Sequence, residues 1–235
     1  MTNKVVLVTG GAGNLGRAVT RAFLEADSRV AVPLHKTDKP DALDQLQSEF
    51  PDRLHTFALD LTTERGAEQA VRQTVEWGGR VDAVAHLIGS YIGGARIGDT
   101  ALAAWDRMME LNLKSAFLTA RFAVPRMVQD GGGSIVFVSS RAAVRERAGH
   151  AAYAISKAGL LTLVEALAEE YGDEGVRANA VLPGTVDTEA NRRAMPDADP
   201  TLWTTPDEIA SVIVFLSSAD SGAINGAGIP VYGRS

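Results

Sequence analysis

Short apolar runs alternate with longer stretches of mixed apolar and polar residues along this chain of 235 residues. Most of the apolar runs are continuous, which is typical of strands buried on both faces of a parallel sheet. The seven strands that they predict are Val5 to Thr9, Arg29 to Leu34, Leu54 to Leu59, Val81 to Ile88, Ser134 to Ser139, Val176 to Leu182 and Ile229 to Tyr232. The mixed stretches predict helices near residues 14–26, 39–49, 63–77, 100–128, 150–171 and 206–217. This alternation predicts an α/β fold: a doubly wound, mostly parallel sheet with helices on both faces.

The organisation of the chain favours a single domain over residues 1–235. No internal repeat, low-complexity tract or linker interrupts the pattern, and this length suits one α/β domain with a sizeable core. Residues 190–205 are rich in Pro, Asp and Arg, and we expect them to form an excursion over the surface. The same domain is then expected to carry the substrate site.

Charge and composition argue against several classes of function. The net charge of −6 and the isoelectric point near 5.3 disfavour non-specific binding to nucleic acid or to an anionic membrane. The chain has no cysteine, which excludes disulfides, thiolate metal sites and a cysteine nucleophile, and no metal site is predicted. No apolar run approaches the roughly 18 residues that a membrane span needs, and no signal peptide precedes the first strand. We therefore expect a cytoplasmic protein.

A glycine-rich turn joins the first predicted strand to the first predicted helix. The sequence GGAGNLG, which begins at Gly10, contains G-x-G-x-x-G at the place where a dinucleotide-binding turn requires it. Glycine permits the tight turn, and the N-terminus of the following helix offers free N–H groups to a pyrophosphate. A glycine-rich turn without a ligand is the alternative. The predicted cofactor-binding residues of this turn are Gly10, Gly13, Asn14, Leu15 and Gly16.

The end of the second predicted strand bears on which nucleotide binds. Sites for NAD often have an acidic residue about 20 residues beyond the glycines. Here His35 and Lys36 occupy the expected ribose-facing positions, and Asp38 follows two residues after Lys36. A lysine can pair with the 2′-phosphate of NADPH, which a carboxylate would repel, so we favour NADPH over NADH. The alternative is that Lys36 is a solvated loop residue.

The third predicted strand is followed by Asp60 and Leu61, which we assign to the cofactor site. The carboxylate of Asp60 is a candidate acceptor for a hydrogen bond from the adenine amine. Alternatively, Asp60 caps the next helix, a role that Thr62 or Thr63 would share.

Tyr153 and Lys157 lie four residues apart in a predicted helix, and residues at this spacing share one helix face. A free tyrosine titrates near pH 10, and a neighbouring positive charge lowers that pKa by favouring the phenolate. The pair is therefore a candidate for proton transfer. Many helices carry these two residues at this spacing by chance, so the pair gains meaning only from the rest of the chain.

Further residues complete a pattern around this pair. Ser140 closes the fifth predicted strand 13 residues before Tyr153, Asn112 lies in the middle of a predicted helix, and Pro183-Gly184 follow the sixth strand. With the glycine turn, these motifs have the order and nearly the spacings of the short-chain dehydrogenase/reductase family, which the chain resembles from Thr9 to Tyr232. The resemblance implies a Rossmann fold and hydride transfer between NAD(P)(H) and a small carbonyl or alcohol substrate.

The resemblance also implies a role for each of these residues. Tyr153 would act as general acid and base, and Lys157 would stabilise its phenolate and contact the nicotinamide ribose. Ser140 would hydrogen-bond the reacting oxygen, and Asn112 would hold a water that links Lys157 to solvent. The further cofactor-binding residues that it implies are Gly89, Pro183, Gly184, Val186 and Thr188, beside Tyr153 and Lys157.

The chain departs from the family pattern at two places. Asn14 stands where the commonest fingerprint has glycine, and the turn also fits the T-G-x-x-G-x-x-G pattern of a longer, epimerase-like branch. Asparagine tolerates a left-handed backbone, so the turn can form. His86 stands where the family usually has the first of two asparagines. We interpret His86 as a structural substitute for that asparagine, since a histidine at a strand end is more often structural than catalytic.

Three segments supply candidates for the substrate pocket: the loop after the fourth strand, the segment between the serine and the tyrosine, and the excursion. The candidate substrate-binding residues are Tyr91, Arg141, Arg147 and Trp203. The arginines favour an anionic substrate, unless their segment is a solvated loop in which Glu146 pairs with one of them. Tyr91 and Trp203 are candidate apolar walls.

Two long predicted helices, near residues 100–128 and 150–171, resemble those that form subunit contacts in this family. The second helix carries apolar residues on more than one face, which favours burial by a partner, so we expect a homodimer or a homotetramer. Two other functions stay open from the sequence. One is a nucleotide-sensing protein without catalysis, and the other is an epimerase-like enzyme with a retained cofactor, which the chain length disfavours.

Overall fold

The computed structural model of the protein describes residues 1–39 and 41–234. Within these residues, seven strands form one sheet in the order β3-β2-β1-β4-β5-β6-β7, and every neighbouring pair is parallel. The strands are β1 (Val5–Thr9), β2 (Arg29–Leu34), β3 (Leu54–Ala58), β4 (Ala83–His86), β5 (Gly133–Val138), β6 (Val176–Pro183) and β7 (Gly228–Val231). The predicted α/β class and the seven-stranded parallel sheet are confirmed. The strand order reverses between β1 and β4, so a ligand crevice is expected at their carboxyl ends.

Helices cover both faces of this sheet. They are α1 (Asn14–Glu25), α2 (Asp44–Glu49), α3 (Glu64–Gly78), α4 (Leu102–Met108), α5 (Ser115–Gln129), α6 (Ala151–Tyr171), α7 (Glu189–Ala194) and α8 (Pro206–Ser217). One apolar core includes Phe23 of α1 and Val6 of β1. The other includes Leu160 of α6 and Leu7 of β1. Since successive strand residues point to opposite faces, the two cores lie on the two sides of the sheet.

The helix predicted over residues 100–128 is not a continuous α-helix. Between α4 and α5 the chain forms a π-helical segment, Met109–Lys114. A π-helical turn inserts an extra residue, which hydrophobic periodicity does not reveal, and such turns occur frequently at functional sites. Asn112 lies in this segment, and its side chain is fully buried.

Other element boundaries shift by a few residues. The helix predicted over residues 39–49 begins later, as α2, and the strand predicted over residues 81–88 is limited to β4. The excursion predicted over residues 190–205 includes most of α7 and a turn of 3₁₀ helix. Pro40, inside that predicted helix, and Ser235, at the end of the expected domain, lie outside the described residues.

The helix α6 carries Tyr153 and Lys157 across the end of the sheet. By length and composition alone, residues 151–174 are long and apolar enough to cross a membrane, against the expectation from the sequence. A helix in the core of a soluble protein can have the same length and composition, and α6 has one face that packs into the protein. On that face Leu160 is buried, whereas Ile155 on the other side of the helix is 44% exposed.

Candidate active site

The glycine turn between β1 and α1 is closely packed against the end of β4. Gly10 has a φ of 71°, a left-handed value that favours glycine, and a Cβ there would lie 3.1 Å from the Ile88 nitrogen. A Cβ at Gly16 would collide with the carbonyl oxygen of Gly10. Asn14 is simply the first residue of α1, so the left-handed backbone that asparagine tolerates is not needed. The turn presents the N-terminus of α1 to an adjoining cavity at Gly13.

This cavity has a volume of about 730 Å³ and lies along the carboxyl ends of β2, β3 and β4. The predicted cofactor-binding residues that line it are Gly10, Gly13, Lys36, Asp60, Leu61 and Gly89. Asp38 lines it as well, and its Oδ2 atom accepts a hydrogen bond from the His35 N–H at 2.7 Å. A carboxylate and an ammonium group therefore share the end of the cavity where a ribose is expected.

Asp60 combines a local structural contact with a position in the cavity. Its Oδ1 atom accepts hydrogen bonds from the N–H and the hydroxyl of Thr62, at 3.0 and 2.7 Å, and these bonds lower the pKa of the carboxyl. Thr63, not Asp60, caps α3 by accepting a hydrogen bond from the Gly66 N–H at 3.1 Å. The Oδ2 atom of Asp60 has no hydrogen bond among the described residues, so it is available to a ligand.

A second cavity, of about 270 Å³, continues from the first at Leu87, Gly89 and Ser90, which line both. The predicted site residues that line it are Leu15, Gly89, Tyr91, Ser140, Tyr153, Lys157, Pro183, Gly184 and Val186. The two cavities form one cleft at the carboxyl edge of the sheet. The structure thus brings together residues that are up to 171 positions apart, from Leu15 to Val186.

Ser140, Tyr153 and Lys157 lie together in the second cavity. The Ser140 hydroxyl is near enough to Tyr153 to lower the pKa of the phenol. The Ser140 Oγ atom also accepts the Ala142 N–H at 3.2 Å, which leaves the serine proton for Tyr153 or for a bound oxygen. The Lys157 Nζ atom lies 6.0 Å from the centroid of the Tyr153 ring and donates to the Val138 carbonyl oxygen at 2.8 Å.

Burial governs the pKa values of these two residues. Desolvation of the ammonium group lowers the pKa of Lys157, which is only 5% exposed, to about 8. Desolvation also raises the pKa of Tyr153, whereas the nearby Ser140 hydroxyl lowers it and the neighbouring Tyr91 raises it further. In the protein alone the pKa of Tyr153 is therefore raised, and not lowered as expected from the sequence, because burial is the largest cause of its shift.

Asn112 uses its side chain to hold the loop after β4. Its Oδ1 atom accepts the Ser90 N–H at 2.7 Å, and its Nδ2 atom donates to the Ser90 carbonyl and to the Ser156 hydroxyl at 3.1 and 2.9 Å. Both amide protons are therefore committed within the protein. The side chain is a brace between that loop and α6, which leaves only a lone pair of Oδ1 for the expected water.

Gly89 lies against both Asn112 and Lys157. A Cβ at this position would lie 2.9 Å from the Asn112 Oδ1 atom and 3.0 Å from the Lys157 Nζ atom. Any side chain there would push against the lysine and close the passage between the two cavities. Gly89 therefore keeps open the part of the cleft where a dinucleotide would run past Lys157.

His86 occupies the place of the usual asparagine and is fully enclosed. Its Nδ1 atom lies 2.9 Å from the Thr9 hydroxyl, and its Nε2 atom lies 3.2 Å from the Ser115 hydroxyl. Ser115 donates its own proton to the Leu111 carbonyl, so it must accept from His86, which is neutral with the proton on Nε2. Burial, and then the charge of Lys157, lower the pKa of His86 to about 3. The interpretation of His86 as a structural residue agrees with this geometry.

Several predicted site residues do not line the cleft. Thr188 caps α7 by accepting a hydrogen bond from the Asn191 N–H at 3.2 Å. Gly16 and Asn112 are buried behind the cleft, whereas Asn14 is exposed and accepts a hydrogen bond from the Arg17 Nη2 atom at 3.3 Å. Trp203 is 8% exposed and packs in the interior, because its segment folds against the end of β6 instead of opening onto the substrate.

The two candidate arginines are likewise outside the cleft. The Arg141 Nε atom pairs with Glu146 at 2.9 Å, as the alternative interpretation of this segment predicted. The Arg147 Nη2 atom donates to the Ala143 carbonyl at 2.9 Å. Tyr91 alone among the four substrate candidates lines the cavity, with its ring 5.0 Å from that of Tyr153 and nearly perpendicular to it.

His150 was not named singly as a candidate, although it ends the segment between the serine and the tyrosine, and it lies beside Tyr153. Its ring centroid is 6.3 Å from that of Tyr153 and 5.9 Å from that of Tyr91. The sequence signal that could have found it is its position three residues before Tyr153 at the start of α6, which places it on nearly the same side of the helix.

Comparison with known proteins extends over nearly the whole chain. A family model described as enoyl-(acyl carrier protein) reductase matches residues 10–233. D-threitol dehydrogenase of Mycolicibacterium smegmatis is 32% identical over 245 residues, covering 99% of this chain and 93% of that protein. NAD-dependent glycerol dehydrogenase of Listeria innocua is 30% identical over 242 residues, covering 99% of this chain and 94% of that protein. The structure of a blue fluorescent protein from a metagenomic library, in complex with NADPH, matches with a TM-score of 0.89 and 28% identity, covering 99% of this chain and 98% of that one.

Proposed function

This chain belongs to the short-chain dehydrogenase/reductase family, whose members act on alcohols and carbonyls with NAD(P)(H), and from that premise we propose that Tyr153 is its catalytic acid and base. The observation that carries the proposal is that Ser140, Tyr153 and Lys157 line one cavity at the carboxyl edge of the sheet. A phenol, a hydroxyl and a buried ammonium group around one cavity can hold a carbonyl oxygen and exchange a proton with it.

The residues of the cleft fit a bound NAD(P)(H). The N-terminus of α1 and the glycine turn, which has no side chains in the way, would bind the pyrophosphate. The Oδ2 atom of Asp60, which has no hydrogen bond among the described residues, would accept one from the adenine amine. Gly89 leaves room beside Lys157, and Pro183-Gly184 and Val186 form the wall of the second cavity. When bound there, the cofactor supplies or accepts a hydride at its nicotinamide ring.

The proton moves through the residues of the chain. In reduction, Tyr153 donates its phenolic proton to the substrate oxygen, and in oxidation its phenolate accepts the proton of the substrate hydroxyl. Ser140 donates a hydrogen bond to the same oxygen and fixes its position. The charge of Lys157 stabilises the phenolate, and Asn112 would hold, through the remaining lone pair of its Oδ1 atom, the water that links Lys157 to solvent.

The preference for NADPH rests on Lys36, which is exposed at the ribose end of the cleft. Its ammonium can pair with a 2′-phosphate. Asp38 lines the same end, and its carboxylate, which accepts the His35 N–H, opposes this preference because it would repel the phosphate. On the charge of Lys36, we propose NADPH as the preferred cofactor.

The substrate is proposed to be an uncharged small alcohol or carbonyl compound. Of the arginines considered for an anionic substrate, Arg141 is paired with Glu146, and neither it nor Arg147 lines the described cleft. The relatives named for D-threitol and glycerol act on neutral polyols. A neutral substrate needs no charged partner in the pocket, whereas a carboxylate buried there without one would be costly.

We also propose that one domain, residues 1–235, carries both the cofactor and the substrate. It would act in the cytoplasm as a homodimer or homotetramer, without binding nucleic acid or membrane. The apolar surface of α5 and α6 supports the assembly, since Phe117 is 50% exposed and Ile155 is 44% exposed.

The test of the catalytic assignment is the variant Tyr153→Phe, assayed by absorbance at 340 nm with NADPH and NADH against ketones, aldehydes and alcohols. We expect at least a thousandfold loss of kcat with nearly unchanged cofactor affinity, because only the transferable proton is removed. The wild type should prefer NADPH. Tyr171→Phe, at the far end of α6, is the matched control and should keep full activity. A Tyr153→Phe enzyme with more than about a tenth of the wild-type turnover would contradict the assignment.

A further inference from the structure

His150 presents an imidazole without a hydrogen-bond partner at the margin of the candidate active site. Its ring contacts the rings of Tyr91 and Tyr153, with centroids 5.9 and 6.3 Å away. Although it is the N-cap residue of α6, its side chain accepts no capping hydrogen bond. No hydrogen bond or ion pair joins its ring nitrogens to any of residues 1–39 or 41–234. The ring nitrogens are therefore available to a group from outside the chain.

The backbone holds this imidazole in place without any ligand. Two N–H groups of the loop after β4, those of Gly94 and Ala95, donate to the Gly149 carbonyl at 2.7 and 3.2 Å. A Cβ at Gly93 would lie 3.1 Å from the Cβ of His150, so the loop packs directly on the histidine. The His150 N–H donates to the Arg147 carbonyl at 3.3 Å. The backbone and the Cβ atom of His150 are therefore fixed beside Tyr91 and Tyr153, which lowers the entropic cost of a contact between its side chain and a substrate.

The charged groups nearest in the chain are already engaged. Arg147 donates to the Ala143 carbonyl, and Arg141 pairs with Glu146. The contacts of the His150 ring are instead two tyrosine rings, of which Tyr91 is 61% exposed beside it. These surroundings suit an uncharged group that both packs against an aromatic ring and offers a hydroxyl or carbonyl oxygen.

We infer that His150 binds a second oxygen of the substrate, on the carbon next to the one that reacts. Tyr153 and Ser140 hold the reacting oxygen. Ring centroids 6.3 Å apart allow the polar atoms of Tyr153 and His150 to reach two oxygens on neighbouring carbons by hydrogen bonds of about 2.8 Å. The preferred substrates are therefore α-hydroxy ketones in reduction and vicinal diols in oxidation. This inference deepens the proposed function and rests on it.

The experiment compares substrate pairs that differ only in the second oxygen. The pairs are 2-butanone with 3-hydroxy-2-butanone, and cyclohexanone with 2-hydroxycyclohexanone, and the readout is the ratio of kcat/KM within each pair. The wild type should favour the hydroxy ketone. His150→Phe keeps a ring but loses the polar atoms, and we expect it to lower the ratio by roughly 3- to 10-fold, the effect of one lost neutral hydrogen bond.

Two further variants separate recognition from structure. His150→Asn retains a donor and an acceptor and should restore part of the ratio. His55→Phe, on the edge strand β3 where His55 stacks on Trp77, is the matched control and should leave the ratio unchanged. A purely structural role of His150 would lower kcat/KM equally for both members of a pair and leave the ratio intact.

The outcomes distinguish this inference from the function on which it rests. If the wild type reduces the plain ketones as well as the hydroxy ketones, or if His150→Phe has the wild-type ratio, the inference is overturned while the proposed function stands. If the wild type reduces other carbonyls but none of the hydroxy ketones, the inference is equally overturned. If Tyr153→Phe keeps its turnover, the proposed function fails independently of the ratio.

Discussion

At the scale of single residues, the end of β5 holds both the side chain and the backbone of Lys157. Its Nζ atom donates to the Val138 carbonyl, and its own carbonyl accepts the Ser139 hydroxyl, each at 2.8 Å. These two bonds fix the lysine and the α6 backbone against the sheet. The ammonium therefore stays close to the tyrosine even though burial makes its charge costly.

The pH dependence of reduction tests this arrangement. Burial lowers the pKa of Lys157 to about 8, so its charge is present below that pH and is lost above it. We expect kcat for carbonyl reduction to be constant below about pH 8 and to fall above it, because the phenolate left on Tyr153 then loses its stabilising charge. The check is a profile of kcat at saturating cofactor between about pH 6 and pH 10. A profile without a decline near pH 8 would refute the role of Lys157.

At the scale of elements, His86 connects three parts of the fold. It lies at the end of β4, contacts Thr9 at the end of β1, and reaches Ser115 at the start of α5. Ser115 in turn donates to Leu111 in the π-helical segment. The end of β1, which leads into the glycine turn, and the π-helical segment that holds Asn112 are thus joined through one buried imidazole. His86 makes this connection in the place of the asparagine that relatives are expected to have there.

Removal of this connection should destabilise the protein. We expect His86→Leu to lower the free energy of unfolding by about 1–3 kcal/mol at pH 7.5, because the Thr9 and Ser115 hydroxyls lose a buried partner, and His86→Asn to lower it less. The folded-state pKa of about 3 lies below the unfolded value of 6.5, so the contribution of His86 is complete above pH 6.5 and is lost as the pH falls. Urea denaturation at pH 7.5 and pH 5 measures the loss of unfolding free energy in each variant and its dependence on pH. The assignment fails if the gap between wild type and His86→Leu is the same at the two pH values.

At the scale of the whole molecule, the two cores leave an apolar surface of the helices uncovered. A groove of about 400 Å³ between the π-helical segment, α5 and α6 is lined by Met109, Leu113, Lys114, Phe117 and Leu163. The helices bury their other faces against the sheet, where Leu160 is fully enclosed. A partner subunit on this groove would remove from water the surface that the fold itself does not cover.

The mass in solution tests this assembly. We expect light scattering after size-exclusion chromatography to give two or four times the mass of the chain, and Phe117→Glu to give a smaller species, because a carboxylate in an apolar interface is costly. Leu202→Glu, another exposed apolar residue away from α5 and α6, should leave the mass unchanged. A wild-type protein with the mass of one chain would show that the groove has no partner.

The sequence alone determined the features that depend on local pattern. Continuous apolar runs place β1 and β2 at the residues where the structure has them, because buried strands need apolar side chains on both faces. The order of the glycine turn, Ser140, Tyr153 and Lys157 likewise identifies the family and its chemistry without coordinates. Taken together, these residues are recognisable without coordinates, since their types, order and spacings carry the signal.

Only the tertiary structure decided the features that depend on distant segments meeting. It pairs Arg141 with Glu146, buries Trp203, and brings His150 beside Tyr153. It also reverses the expected shift of the Tyr153 pKa, because a pKa depends on burial, and burial is set by every segment that packs around the group. Spacing along a chain fixes which side chains share a helix face, but desolvation and the choice of hydrogen-bond partner arise only when the chain has folded.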